Sequence, residues 1–73
     1  MNMQNLSSKD ERTVAKFIND EFEARSKNMG GTLVWVNNHI NKIMRTRPDV
    51  HRAMNNLSSE QMNHVIAEIL LPF

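Results

Sequence analysis

The chain has 73 residues, enough for one small domain, and a domain of this size buries only about 60% of the surface that its unfolded chain exposes. The thin core that results disfavours an enzyme with a deep substrate cleft. The sequence contains no cysteine, which excludes disulfides, thiolate zinc sites and cysteine nucleophiles. Nine basic and eight acidic residues give a formal net charge of +1, well short of the strongly basic balance that is typical of proteins binding phosphate backbones.

Neither end of the chain has the pattern of a targeting or membrane segment. The opening residues, MNMQNL, lack the basic and apolar regions of a signal peptide. The longest apolar run, VIAEILLPF, is interrupted by Glu68 and is far shorter than the roughly 20 residues that span a bilayer. We therefore expect a soluble cytoplasmic protein without a membrane partner.

The first predicted helix begins near Lys9, because Ser8 and Glu11 have the spacing of a capping box. The apolar residues that follow recur every four positions and form one stripe: Val14, Ile18 and Phe22. The two glycines of the segment 28–31 predict the end of this helix. Residues 1–6, which precede it, are expected to be a disordered tail.

The second predicted helix is capped by Thr32 and continues to Thr46. Its apolar residues fall on one arc at about 100° per residue. These residues are Leu33, Val36, Ile40, Ile43 and Met44. The segment TLVWV alone would also suit a β-strand, but the helical pattern continues beyond it and a lone strand has no partner in this chain.

Two further helices complete the prediction. Pro48 suits the first turn of a third helix, with Asp49 near the positive end of its dipole, and Ser58 with Gln61 forms a capping box that opens a fourth. The sequence thus predicts one all-α domain over residues 1–73, a small bundle of three or four helices. Its predicted core is Val14, Ile18, Phe22, Leu33, Val36, Ile40, Ile43, Val50, Met54, Leu57, Met62, Val65, Ile66 and Ile69.

Basic residues are concentrated in the central stretch 39–52, HINKIMRTRPDVHR, in which Asp49 is the only acid. The basic residues are Lys42, Arg45, Arg47 and Arg52. The planar fork of arginine binds carboxylate or phosphate groups through two hydrogen bonds. The stretch therefore indicates a binding surface, although a merely solvated helix face has the same composition.

A helix over residues 32–46 places Trp35, the only tryptophan, away from the apolar arc. On the same side lie Asn38, Lys42 and Arg45. Tryptophan and arginine dominate binding energy at protein interfaces, and an aromatic ring beside cations also suits nucleic acid. Alternatively, Trp35 fills a second contact inside the bundle, since large aromatic residues are mostly buried. The predicted partner-binding residues are Trp35, Asn38, His39, Lys42, Arg45, Arg47 and Arg52.

Other chemistry has less support in the sequence. His64 lies four residues before Glu68, the spacing of two metal ligands on one helix, but further ligands are not evident. The link NNLSS lacks the glycine that is usual in a helix-turn-helix, and the helix after it offers few cations for DNA. No catalytic motif is recognisable, so we expect neither an enzyme nor a metal or cofactor.

The C-terminal segment EILLPF has two interpretations. Leu71 and Phe73 either fold back over the small core or leave an apolar patch for a partner or for a second copy of the chain. Folding back is favoured, because so short a chain has few apolar groups to spare.

As a whole, a short, cysteine-free helical chain with many Asn and Met residues resembles the small accessory regulators that bacteriophages make to redirect host machinery. Among these it is similar to regulators that bind host RNA polymerase. The resemblance implies a non-catalytic protein in the host cytoplasm that alters transcription. From the basic stretch itself we expect the arginines to meet acidic side chains of the partner. A DNA- or RNA-binding protein that uses the stretch 42–52, or a homodimer through Leu71 and Phe73, remains an alternative.

Overall fold

A computed structural model describes residue 6 and residues 8–72 of the chain. Over these residues it contains five α-helices and no strand. The helices are α1 (Lys9–Ala24), α2 (Met29–Asn38), α3 (Ile40–Thr46), α4 (Pro48–Asn56) and α5 (Ser59–Leu70). The predicted all-α class is confirmed, and the strand alternative for TLVWV is wrong because residues 32–36 are helical.

The start of α1 agrees with the prediction from the sequence. The hydroxyl of Ser8 accepts a hydrogen bond from the backbone N–H of Glu11 at 3.0 Å and donates to the Glu11 carboxylate, also at 3.0 Å. The predicted apolar stripe is confirmed by the near-complete burial of Val14, Ile18 and Phe22. Local capping and helical periodicity are therefore sufficient to predict the start and the buried face of α1.

The end of α1 differs from the prediction. The helix stops at Ala24, and Ser26 and Lys27 then take positive φ values of 57° and 62°. The backbone N–H of Lys27 donates to the carbonyl of Phe22 at 2.8 Å, which closes the end of the helix. The prediction that the glycines of segment 28–31 end this helix is wrong, because two non-glycine residues make the left-handed turn instead.

Those glycines lie inside the first turn of α2. The cap of this helix is Asn28, whose side-chain oxygen accepts from the backbone N–H of Gly31 at 2.9 Å. The predicted cap, Thr32, is instead fully buried, and its hydroxyl donates to the Asn28 carbonyl at 2.7 Å. The asparagine cap starts the helix four residues earlier than predicted, despite the low helix propensity of glycine.

The predicted single helix over residues 32–46 is interrupted at His39, which separates α2 from α3. His39 has φ −112° and ψ 20°, and its ring Nδ1 lies 2.8 Å from the carbonyl oxygen of Trp35. A carbonyl only accepts, so this ring nitrogen donates and competes with the backbone for the same acceptor. Backbone bonds from His39 N–H to the Trp35 carbonyl and from Ile43 N–H to the His39 carbonyl keep the two helices consecutive.

The last two helices begin as predicted. Pro48 occupies the first turn of α4, with Asp49 beside it. Ser58 and Gln61 form a full capping box at α5: the Ser58 N–H donates to the Gln61 side chain at 2.8 Å, and the Gln61 N–H donates to the Ser58 hydroxyl at 3.2 Å. None of the helices in the described part of the chain is long and apolar enough to cross a membrane.

The core lies around α1, which packs against α2, α4 and α5. Its main cluster of buried residues is Leu6, Val14, Ala15, Ile18, Phe22, Ala53, Val65 and Ile69. A second cluster, beneath α2 and α3, consists of Val36, Ile43 and Val50. Phe17 and Met54 pack against both clusters and join them.

Most of the predicted core is confirmed, with differences at the edges. Half-buried rather than buried are Ile40, Met54, Leu57, Met62 and Ile66. Leu33 was predicted in the core and is exposed, because only one side of α2 is covered. Leu6, expected in a disordered tail, is buried, and Arg12 donates to its carbonyl at 3.1 Å. Residues 1–5 of the predicted tail lie outside the described residues.

Leu71 does not fold back over the core, although the sequence favoured this. Leu71 keeps 69% of its surface exposed, and Leu70 keeps 38%. Phe73 lies outside the described residues. The end of α5 therefore presents two leucine side chains to solvent.

Candidate functional site

The helix α2 is largely apolar but is covered on one side only. Its ten residues, MGGTLVWVNN, carry no charge, and only Thr32 and Val36 among them are buried. Leu33 is 37% exposed and Val34 is 60% exposed. A helix that is apolar around most of its circumference is typically buried on several sides. The outer side of α2 is therefore a candidate contact surface.

The helix α3, which follows α2 directly, also exposes both apolar and basic groups. Ile43 faces the core, whereas Met44 is 46% exposed and Lys42 and Arg45 are exposed beside it. Within the described residues neither Lys42 nor Arg45 forms an ion pair. We call the exposed groups on these two helices the α2–α3 surface. It consists of Leu33, Val34, Asn37, Asn38, Asn41, Lys42, Met44 and Arg45.

This surface belongs to a long part of the chain without acids. No Asp or Glu occurs in residues 24–48, which include all of α2 and α3. Elsewhere, Glu11 and Glu68 are buried, so six of the eight acidic residues remain outside the core against nine basic ones. The charge on α2 and α3 is therefore purely positive, although the formal net charge of the whole chain is only +1.

Trp35 is half-buried, so it is neither the exposed binding residue nor the fully buried bundle contact that the sequence suggested. The guanidinium carbon of Arg25 lies 4.1 Å from the centroid of the indole, and the ring of His39 stacks on it at 4.4 Å with an interplanar angle of 17°. Glu21, one turn before Arg25, pairs with that guanidinium. Two planar groups thus already flank Trp35, and a nucleobase can stack on it only by displacing one of them.

Sequence reasoning missed Arg25 as a neighbour of Trp35. The pairing of Glu21 with Arg25 was visible in their spacing of four residues, but it indicated only a solvated face of α1. The contact arises because the turn over residues 25–28 brings α2 back alongside the end of α1, which no local pattern shows.

Arg47 faces α1 and is already paired. Its Nε and Nη2 donate to the two carboxylate oxygens of Asp49 at 3.2 and 3.3 Å, and its guanidinium lies 5.8 Å from the ring of Phe17. This hydrogen bond lowers the pKa of Asp49 and raises the pKa of Arg47. The pair borders an open cleft of about 360 Å³, lined also by Thr13, Lys16, Phe17 and Asp20.

The predicted binding residues thus divide between different parts of the molecule. Asn38, Lys42 and Arg45 are exposed on α2 and α3, Trp35 and His39 are half-buried against each other, and Arg52 is exposed on α4. Among the described residues no ring contact, hydrogen bond or ion pair joins Trp35 to Lys42, Arg45, Arg47 or Arg52. A role for each in binding stays a prediction.

His64 and Glu68, the pair considered as metal ligands, join α5 to α1. The Nδ1 of His64 lies 3.2 Å from the carboxylate of Glu11, and its Nε2 lies 3.4 Å from the carboxylate of Glu68. Both carboxylates are buried. With one carboxylate on each ring nitrogen, the imidazole bridges two helices. The described residues contain no group of three or more side chains that could hold a metal ion.

Comparison with known proteins adds no relative. No protein family model matches the sequence, and no similar curated protein or solved structure was found.

Proposed function

We propose that this chain is a non-catalytic regulatory protein that docks on a larger protein machine through the α2–α3 surface. The first candidate partner is the RNA polymerase of a bacterial host, with altered transcription as the result and the host cytoplasm as the place of action. The observation that carries the proposal is α2 itself, an uncharged and largely apolar helix that the rest of the fold covers on one side only.

A protein partner would gain from both kinds of group on this surface. Covering exposed aliphatic side chains contributes about 25 cal/mol per Å² of apolar area. The side chains available for this are Leu33, Val34 and Met44. Lys42 and Arg45 at the edge would steer an acidic partner toward them and fix its orientation. RNA polymerase as the partner rests on the resemblance in size and composition to phage regulators.

Nucleic acid is the second candidate, favoured by the acid-free stretch of residues 24–48. Lys42, Arg45 and Arg52 are exposed and form no ion pair in the described part of the structure. Phosphates, however, gain nothing by covering leucine and valine side chains, and Trp35 is already flanked. Duplex binding through three cations would weaken with salt at a log–log slope of about −3.

The test is binding of nuclease-treated, purified bacterial RNA polymerase to the immobilised chain, with one acid introduced at a time. Val34→Asp places a charge in the proposed contact, and Leu71→Asp is the matched control, since both side chains are exposed. We expect Val34→Asp to weaken binding at least about tenfold, because a carboxylate would be desolvated in an apolar contact. Leu71→Asp should bind like the unmodified chain.

Two results would contradict the proposal in different ways. If polymerase does not bind, that partner is wrong. If Leu71→Asp weakens binding as much as Val34→Asp does, the contact lies elsewhere than on the α2–α3 surface. Sedimentation of the Leu71→Asp variant would also show whether the end of α5 holds two copies of the chain together.

A further inference from the structure

We infer that the α2–α3 surface takes an acidic segment of the partner protein that also carries aliphatic side chains. The inference rests on the proposed function and specifies the chemistry of the partner. The charged, amide and aliphatic side chains of this surface suit such a segment better than they suit nucleic acid or a lipid bilayer.

The exposed cations of the α2–α3 surface favour an acidic ligand. Lys42 and Arg45 are exposed within the acid-free stretch of residues 24–48, and in the described structure no carboxylate pairs with either of them. Arg47, by contrast, is already bound to Asp49. Lys42 and Arg45 are therefore available to carboxylates supplied from outside, which would meet no like charge on α2 or α3.

The mixture of exposed aliphatic and amide side chains favours a peptide over DNA or a lipid bilayer. A polyanion such as DNA would not bury the exposed side chains of Leu33, Val34 and Met44, whereas leucine or isoleucine side chains of a peptide would. The exposed amides on the same two helices are Asn37, Asn38 and Asn41. Amides both donate and accept, so they can bind the main chain of a peptide, whereas they are costly to bury in a lipid bilayer.

Trp35 then has a different role from the one that the sequence suggests. Arg25 and His39 lie against its ring, and the ring packs on the cluster of Val36, Ile43 and Val50. It braces α2 against α1 and so positions the α2–α3 surface. The aliphatic side chains of that surface, and not the indole, make the contact with the partner.

Short synthetic peptides test the inference. The first has leucine on one helical face and glutamate on the other; a second has lysine for each glutamate, and a third has alanine for each leucine. Fluorescence anisotropy should show binding of the first peptide only. Labelled duplex DNA and vesicles of phosphatidylserine serve as competing ligands. Tighter binding of the duplex or the vesicles, or equal binding of the alanine peptide, would overturn the inference.

Paired charge reversals locate the contact. Lys42→Glu with Arg45→Glu should weaken binding of the leucine–glutamate peptide by about tenfold or more, because attraction is replaced by repulsion. Lys9→Glu with Lys16→Glu changes the net charge by the same amount on exposed positions of α1 and should have little effect. Equal losses in both double variants would mean unspecific attraction and would contradict the inference.

The same variants separate this inference from the proposed function. If Val34→Asp abolishes polymerase binding but the charge reversal of Lys42 and Arg45 does not, docking through the α2–α3 surface is supported. The inference that the bound segment is acidic is then wrong. If the leucine–glutamate peptide binds and polymerase does not, the inferred chemistry of the bound segment is supported. RNA polymerase is then wrong as the partner. Circular dichroism confirms that each variant keeps its helices.

Discussion

Individual side chains in this small fold connect helices that lie far apart in the sequence. The imidazole of His64 on α5 reaches the carboxylate of Glu11 on α1, 53 residues earlier. Glu11 also lies in the first turn of α1, where the helix dipole stabilises a negative charge. A carboxylate only accepts, so the Nδ1 of His64 donates to Glu11, while its Nε2 lies 3.4 Å from the carboxylate of Glu68. This bridge supports the packing of α5 against α1.

Replacement of His64 tests this bridge. We expect His64→Ala to lower the free energy of unfolding by about 1 to 3 kcal/mol, since the buried carboxylate of Glu11 loses a hydrogen-bond donor. The measurement is urea denaturation followed by circular dichroism. His51→Ala is the control, because in the described structure His51 makes no side-chain hydrogen bond or ion pair. Equal effects of both substitutions would show that the bridge contributes nothing specific.

A second prediction at this scale concerns Asp49, whose pKa is lowered chiefly by the hydrogen bond from Arg47. Because the folded pKa lies below the unfolded one, the stabilisation is present above the unfolded value of about 3.9 and is lost as the pH falls through the folded value. An NMR titration of the carboxyl carbon should show the midpoint rising in Arg47→Gln. An unchanged midpoint would mean that the pair does not form in solution.

At the scale of single elements, α2 combines a glycine-rich first turn with an exposed apolar side. A Cβ added at Gly30 would meet only the Asn28 side-chain oxygen, at 3.6 Å, whereas one at Gly31 would lie 3.3 Å from two Asn28 atoms. Neither glycine has a positive φ. Glycine is therefore not required at position 30 by the fold, although it leaves the outer side of α2 open to close approach.

We accordingly expect Gly30→Ala to raise the free energy of unfolding by about 0.4 to 1 kcal/mol. Alanine lowers the conformational entropy of the unfolded chain and has a higher helix propensity than glycine. Gly31→Ala should stabilise the fold less, because the capping side chain of Asn28 must shift. Thermal denaturation of both variants measures the difference. A Gly30→Ala protein less stable than the Gly31→Ala protein would contradict this account of the α2 cap.

At the scale of the whole molecule, the core is completed by a residue from outside the helices. Leu6 precedes α1 and is 2% exposed within the main cluster. A domain of this size has a free energy of unfolding of only a few kcal/mol, so one leucine is a large share of it. The segment before α1 is thus part of the fold at residue 6.

Two leucines near opposite ends of the chain provide the test. Leu6→Ala should lower the free energy of unfolding by about 2 to 5 kcal/mol, enough to unfold much of the protein, because it leaves a cavity in the core. Leu71→Ala should change it by less than about 0.5 kcal/mol, since that side chain is exposed. Chemical denaturation compares the two, and a small effect at Leu6 would remove this residue from the core.

The sequence by itself determined the helical class and most helix starts. Serine caps at Ser8 and Ser58, the proline at the start of α4 and the apolar periodicity of α1 and α5 act within one or two turns of the chain, so they can be read locally. The break at His39 was not readable, because a histidine ring that binds the carbonyl one turn earlier has no distinctive pattern.

Only the tertiary structure decided which side of each helix is covered. Leu33 and Leu6 have the same apolar character in the sequence, yet the first is exposed and the second buried. Trp35 meets Arg25 at the end of α1, and His64 meets Glu11 at its start. Turns whose direction depends on packing bring these side chains together. The basic residues of the candidate surface could be predicted from the sequence. Its exposed aliphatic side chains could not, since their burial depends on how the helices pack together.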